Sequence, residues 1–202
     1  MDSIDDKIMS VVKEKGEGTI VFPADFSFFG QTPSVNKALE RLVKNNVLIR
    51  LARGIYYYPK MDNSGLNLGI LYPTLEDVAQ NIAIRDHARI APTGNYALNV
   101  LGLSTQVPMN VVYLTDGSPR KISIRDGRGI QFIHTAPKNL AFKCKLAMLI
   151  TFALKEIGPD NVTMAQESKI KELLKHEAKE DVYQDFGLIP TWIKSIIIKC
   201  YE

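Results

Sequence analysis

The chain has 202 residues, 46% of them hydrophobic and 23% charged, with a net charge of +3. That balance belongs to a globular chain long enough for one large or two small domains with real cores, and it excludes low-complexity disorder. Two cysteines, Cys144 and Cys200, stand far apart with no CxxC pairing, which argues against a disulfide framework or a cysteine-rich zinc site and fits buried thiols in a reducing compartment.

Ser3 with Asp6 three residues later marks a helix start, and Ile4, Ile8, Val11 and Val12 follow at helical spacing until Gly16 and Gly18. Thr19 to Phe22 is a short strand candidate, and Pro23 opens a short helix that Gly30 closes. Thr32-Pro33 reads as a capping hydroxyl followed by proline in the first helical position. Behind it, Val35, Leu39, Leu42 and Val43 form an apolar stripe, while Ser34, Asn36, Lys37, Arg41 and Lys44 face away; Asn45-Asn46 ends the helix.

In "VLIRLARGIYYYP" two strands flank a turn at Arg53-Gly54, and Pro59 stops the second. Tyr56 and Tyr58 point to one face of that strand and Tyr57 to the other, so one set is expected to pack on the helices and the other to reach outward. The order helix, short strand, helix, turn, helix, hairpin is that of a winged helix-turn-helix. Residues 60–73 read as a polar connector, which predicts domains at 1–62 and 73–202.

The second domain is expected to be a larger mixed α/β unit with a helical C-terminal part, so the chain as a whole is α/β in the mixed α+β sense. Its predicted elements are a helix capped at Thr74, a strand in "ARIAP", a helix from Thr93, a strand in "NVVYL" and a hairpin in "KISIRDGRGIQFIH". The apolar stretch around Leu140–Ile157 then makes a buried helix, and two more helices follow near 165–178 and 191–199. Lys143, Lys145, Lys155 and Glu156 interrupt that apolar stretch, so it is too short and too charged to span a bilayer, and the start "MDSIDDKIMS" is no secretory signal. The expected compartment is the cytoplasm.

Charge is unevenly spread. Residues 30–60 hold Lys37, Arg41, Lys44, Arg50, Arg53 and Lys60 against the single acid Glu40, and residues 117–159 carry a surplus of six positive charges. Such patches are the footprint a polyanionic partner requires. In the second, "TDGSPRKI" turns at the end of a strand and sets Arg120 and Lys121 outward, near Arg125, Arg128, Lys138 and Lys143.

The chemistry of catalysis leaves fewer traces. His87, His134 and His176 are scattered without metal-ligand spacing, and no phosphate-binding glycine loop or nucleophile motif occurs. Asp160 with Glu167-x-Lys169 has the composition of a metal-dependent nuclease signature, but the second half lies in a helical pattern where a strand is needed. Neither a cofactor, a metal nor an enzymatic activity is expected.

The segment "VNKALERLVKNNVLIRLARGIYYYP" resembles the winged helix of AbiEi-type antitoxins, the antitoxin half of type IV toxin–antitoxin (abortive infection) systems. "PTGNYALNVLGLSTQVP", "VVYLTDGSPRKI" and "IQFIHTAPKNLAF" are similar to the second domain of the same family, so the likeness runs to about Phe142. It implies a repressor that binds double-stranded DNA in its own promoter region, and an antitoxin that counters a nucleotidyltransferase-like toxin directly or indirectly. On that reading Thr32, Ser34, Asn36, Lys37, Arg41, Lys44, Arg50 and Arg53 contact DNA, and Arg120, Lys121, Arg125, Arg128 and Lys138 form the antitoxin surface. The alternatives are a winged helix used as a protein-interaction module, or a nuclease built on Asp160 and Glu167.

Overall fold

The computed structural model describes residues 2–66, 68–124 and 127–202. The chain is a mixed α/β protein. Residues 2–81 make the body of one unit, and residues 82–122 with 128–202 make a second.

In the first unit, α1 (Ile4–Lys15) starts at the reciprocal Ser3–Asp6 capping box and stops at Gly16. Strand β1 (Ile20–Val21), a 3-10 helix (Pro23–Phe29), helix α2 (Thr32–Lys44) and strands β2 (Ile49–Ala52) and β3 (Ile55–Tyr57) follow. The sheet order is β1-β3-β2, antiparallel throughout. Ile8, Val12, Phe26, Val35, Ala38, Leu39, Leu42, Leu48 and Tyr56 form its core, so the stripe expected on α2 faces inward and includes Ala38.

Three local expectations change. Gln31, not Thr32, is the N-cap of α2, without a side-chain bond; Thr32 and Pro33 already lie inside the helix. The proline still fits, because no N–H of the first helical turn has an intrahelical acceptor. Tyr57 does not reach outward: it is as buried as Tyr56, stacks on Tyr72 at 6.5 Å between ring centroids and donates its hydroxyl to the Leu71 carbonyl. The supposed connector supplies that cover, since β4 (Lys60–Met61) and β5 (Ile70–Leu71) pair as a small hairpin. Asp62 organises its loop by accepting from the N–H groups of Ser64 at 2.9 Å and Leu68 at 3.0 Å, an Asx-type turn that the local pattern leaves hidden.

Helix α3 (Leu75–Arg85), begun by the Thr74–Asp77 pair, leads into the second unit. There β6 (Ile90–Thr93), α4 (Gly94–Val100), β7 (Asn110–Thr115), β8 (Arg120–Ser123) and β9 (Gly129–His134) precede α5 (Lys145–Ile157), α6 (Met164–Leu174), α7 (Lys179–Tyr183) and α8 (Thr191–Tyr201). The sheet order is β6-β7-β9-β8, with β6 antiparallel and β9 parallel to β7. The hairpin strand β8 therefore takes the edge while β9 sits inside. Val111, Tyr113, Ile130 and Phe132 alternate onto one buried face, where Tyr96 of α4 meets Tyr113 edge-on. The helix expected across 165–178 ends at Leu174, and a separate short helix, α7, begins beyond it at Lys179.

Helix α5 is the centre of this unit. Leu149 to Leu154 are all buried, in one core with Ile170, Leu174, Val182, Ile193 and Ile197 from the three helices behind it. Its N-terminal end would leave buried N–H groups without acceptors. Two acceptors meet that need: the Cys144 sulfur accepts from Ala147 N, and the carboxylate of Asp185, 3% exposed, accepts from Lys143 N at 3.0 Å and Cys144 N at 2.7 Å just before the helix. Among the described residues no helix is long and apolar enough to cross a membrane.

Removing the Asp185 carboxylate strands those donors in an apolar surround. Asp185→Ala should cost roughly 2–4 kcal/mol and lower the melting temperature by about 5–15 °C, with Asp185→Asn losing less because one amide oxygen still accepts. Calorimetric melts check this; an unchanged transition for Asp185→Ala would remove the capping role.

Candidate nucleic-acid interface

Residues three and four apart share a face of a helix. On α2 this aligns Thr32, Asn36 and Glu40 in one stripe and Ser34, Lys37, Arg41 and Lys44 in the adjoining one, with Glu40 next to Lys37 and Lys44. The first stripe lines an open groove of 320 Å³ whose opposite wall is the β2–β3 hairpin, with Arg50, Arg53, Gly54 and Tyr56. Four of the residues expected to touch DNA, Thr32, Asn36, Arg50 and Arg53, thus meet in one place.

The hairpin's hydrogen-bonded register explains how. Arg50 on β2 lies directly opposite Tyr56 on β3, and a register shift separates Arg50 from Ala52. Tyr56 is buried in the core, so its strand is held firmly under an exposed Arg50. Burial raises the Tyr56 hydroxyl pKa above its ordinary value; Arg50 opposes the shift and Glu40 adds to it. Gly54 adopts φ +73°, the left-handed conformation the turn requires, with open space around it.

On the second stripe Ser34, Lys37 and Lys44 are exposed. Arg41 is not free: its guanidinium forms a forked ion pair with Asp5 of α1, Nε to Oδ2 being 3.0 Å. That bond raises the Arg41 pKa above its usual value. The pair joins residues 36 positions apart, which no local pattern announces.

The basic zone of the second unit is also altered by pairing. Arg120 and Lys121 do not project together. Adjacent residues of a strand face opposite ways, and Arg120 turns back to bond Asp86 and lie 5.4 Å from the centre of the Phe132 ring. Lys121 is exposed on β8, Lys138 is exposed in a 3-10 turn (Pro137–Leu140), and Arg128 is half-buried before β9. Arg125 lies outside the described residues. Asp116 of the "TDG" turn holds the Arg89 side chain at 2.8 Å, and Arg89 also donates to the Pro137 carbonyl.

The composition that suggested a nuclease is spent on helix surfaces. Glu167 on α6 accepts from Lys199 at 2.7 Å, and Lys169 bonds Glu172 at 2.9 Å.

The chain belongs to the family DUF6088. That family, whose function is unknown, matches residues 7–182, so it takes in the α2–hairpin groove and the whole β6–β9 sheet. No curated protein matches the chain. For this DUF6088 member the functional reading rests on its own geometry: a helix stripe and a hairpin that concentrate amide, hydroxyl, carboxylate and guanidinium groups in one open groove.

Arg53 and Gly54 separate charge from backbone. Arg53→Ala should leave stability within about 0.5 kcal/mol, because the side chain is solvated. Gly54→Val should cost roughly 1–2 kcal/mol, since a β-branched residue resists positive φ. Thermal melts of both variants test it; a Gly54→Val melt equal to wild type would refute the need for glycine in the turn.

Proposed function

We propose that the first unit is a winged helix-turn-helix that binds double-stranded DNA, and that the protein is a transcriptional autorepressor and antitoxin of the type IV toxin–antitoxin class. The observation that carries the DNA reading is the groove in which Thr32 and Asn36 of α2 face Arg50 and Arg53 of the hairpin. In this reading α2 enters the major groove of DNA, and Lys37, Lys44 and the hairpin arginines neutralise phosphates on either side. Phosphate contacts give affinity and orientation, and the amide of Asn36 supplies a hydrogen-bonding pair suited to adenine. The antitoxin part is supported by the resemblance of residues 92–108, 111–122 and 130–142 to the second domain of AbiEi-type proteins. Its exposed cations Lys121 and Lys138 are the residues through which it would act on a nucleotidyltransferase-like toxin or that toxin's nucleic-acid substrate.

A second reading, a protein-docking module, is favoured by exposed apolar side chains: Phe28 is 94% exposed just before α2, and Leu66 and Leu68 are exposed on the β4–β5 hairpin. Salt decides between the two. With Lys37, Lys44, Arg50 and Arg53 meeting phosphate, log K should fall with log salt at a slope of roughly −3 to −4, and Lys37→Ala should shallow it by about one unit. Asp5→Ala, by releasing Arg41, should steepen it. Titrations on DNA from upstream of the gene, with unrelated DNA as control, read these slopes; absence of any preference for the upstream DNA at low salt would favour protein docking.

The antitoxin assignment has its own test. Lys121→Glu with Lys138→Glu should leave DNA binding intact and abolish rescue of cells expressing a toxin encoded beside the gene. Full rescue by the double variant would take the function away from this surface.

A further inference from the structure

Of the eight residues lining the α2–hairpin groove, Glu40 alone is acidic. A carboxylate is out of place where phosphates are to be bound, because it repels them and weakens the electrostatic term that drives binding. Its position needs a reason. We propose that Glu40 is a specificity-determining residue that accepts a hydrogen bond from the exocyclic amine of cytosine, beside an adenine read by Asn36. The inference rests on the DNA-binding reading and deepens it from affinity to base choice.

Asn36 and Glu40 lie four residues apart, on one face of α2 and in one groove. Along a helix that spacing is about 6 Å, roughly two steps of the 3.4 Å base-pair rise along one strand. Glu40 is exposed in the free protein and solvated there. Seating α2 in the major groove strips that water away, and an ionised carboxylate offers acceptors only. It must then find a donor, or the complex carries the cost of an unsatisfied charge.

The major groove presents two base donors, the adenine N6 amine and the cytosine N4 amine. An amide side chain pairs with adenine through both N6 and N7, a match a carboxylate lacks because adenine N7 is itself an acceptor. The chemistry therefore divides the two bases between the two residues, adenine to Asn36 and cytosine to Glu40. Arg50 lines the same groove from the hairpin side and stays available for phosphate. Glu40 also acts by exclusion: guanine and thymine present acceptors at the equivalent edge, and an acceptor facing an acceptor is repelled.

The full chain, wild type and as Glu40→Ala and Glu40→Gln, is used to select DNA from a library of random duplexes, and Kd is then measured on the selected site and its single-base variants. Wild type should select a cytosine about two positions from an adenine. Glu40→Ala should lose discrimination at the cytosine position alone, by roughly 5- to 100-fold, and bind unrelated DNA more tightly because a negative charge has gone. Glu40→Gln should shift the preference at that position from cytosine to adenine. Selection of a specific site whose cytosine preference survives in Glu40→Ala, or a site with no such cytosine, overturns the inference and leaves the DNA-binding reading standing. Selection of no sequence by wild type overturns that reading, and the inference with it.

Discussion

The candidate interface depends on strand β3 being buried on both faces. It is the middle strand of β1-β3-β2, with Tyr56 set into the helical core and Tyr57 covered by Tyr72 and the Leu71 carbonyl. A two-stranded hairpin alone is marginal in water. Here burial of the return strand on either side converts it into a fixed wall. Only with that wall in place do Arg50 and Arg53 stand opposite Thr32, Asn36 and Glu40 of α2. The three tyrosines are thus the foundation of the groove, and the arginines are its working surface.

The charge available at the surface is smaller than the charge counted in the sequence. The first unit's basic segment is reduced by Asp5, which occupies Arg41. In the second unit Asp86 occupies Arg120, and Asp116 occupies Arg89. Exposed pairs of this kind contribute little to stability. Their larger effect is on the outward field: each acid offsets a cation that the sequence shows, Asp86 being shared by Arg85 and Arg120, and positive charge is concentrated at the residues left over. Lys37, Lys44, Arg50 and Arg53 are such residues in the first unit, and Lys121 and Lys138 in the second.

The second unit is arranged around α5, whose burial on nearly all sides demands that its N-terminal donors be satisfied from within the protein. Asp185, after α7, and the Cys144 sulfur share that demand. One carboxylate thereby ties the C-terminal helices to the start of the central helix, so this part of the chain has a structural task independent of any partner.

The helices and strands were largely legible in the sequence because they depend on nearest neighbours. The Ser3–Asp6 box, the stripe of Val35, Leu39 and Leu42, the Arg53-Gly54 turn and the apolar run of α5 are each set by residues within a few positions of one another. The amide, hydroxyl and basic groups of the groove were likewise written in the residues themselves. What required the tertiary structure was every outcome that depends on residues distant in the chain. Tyr57 turned inward because residues 70–72 fold over it, Arg41 and Arg120 were claimed by acids 36 and 34 positions away, and Asp185 reached back across 42. Local pattern specifies which face of an element is apolar and which side chains it carries. The partner each polar side chain finds is set by chain crossings, and only the folded molecule brings those together.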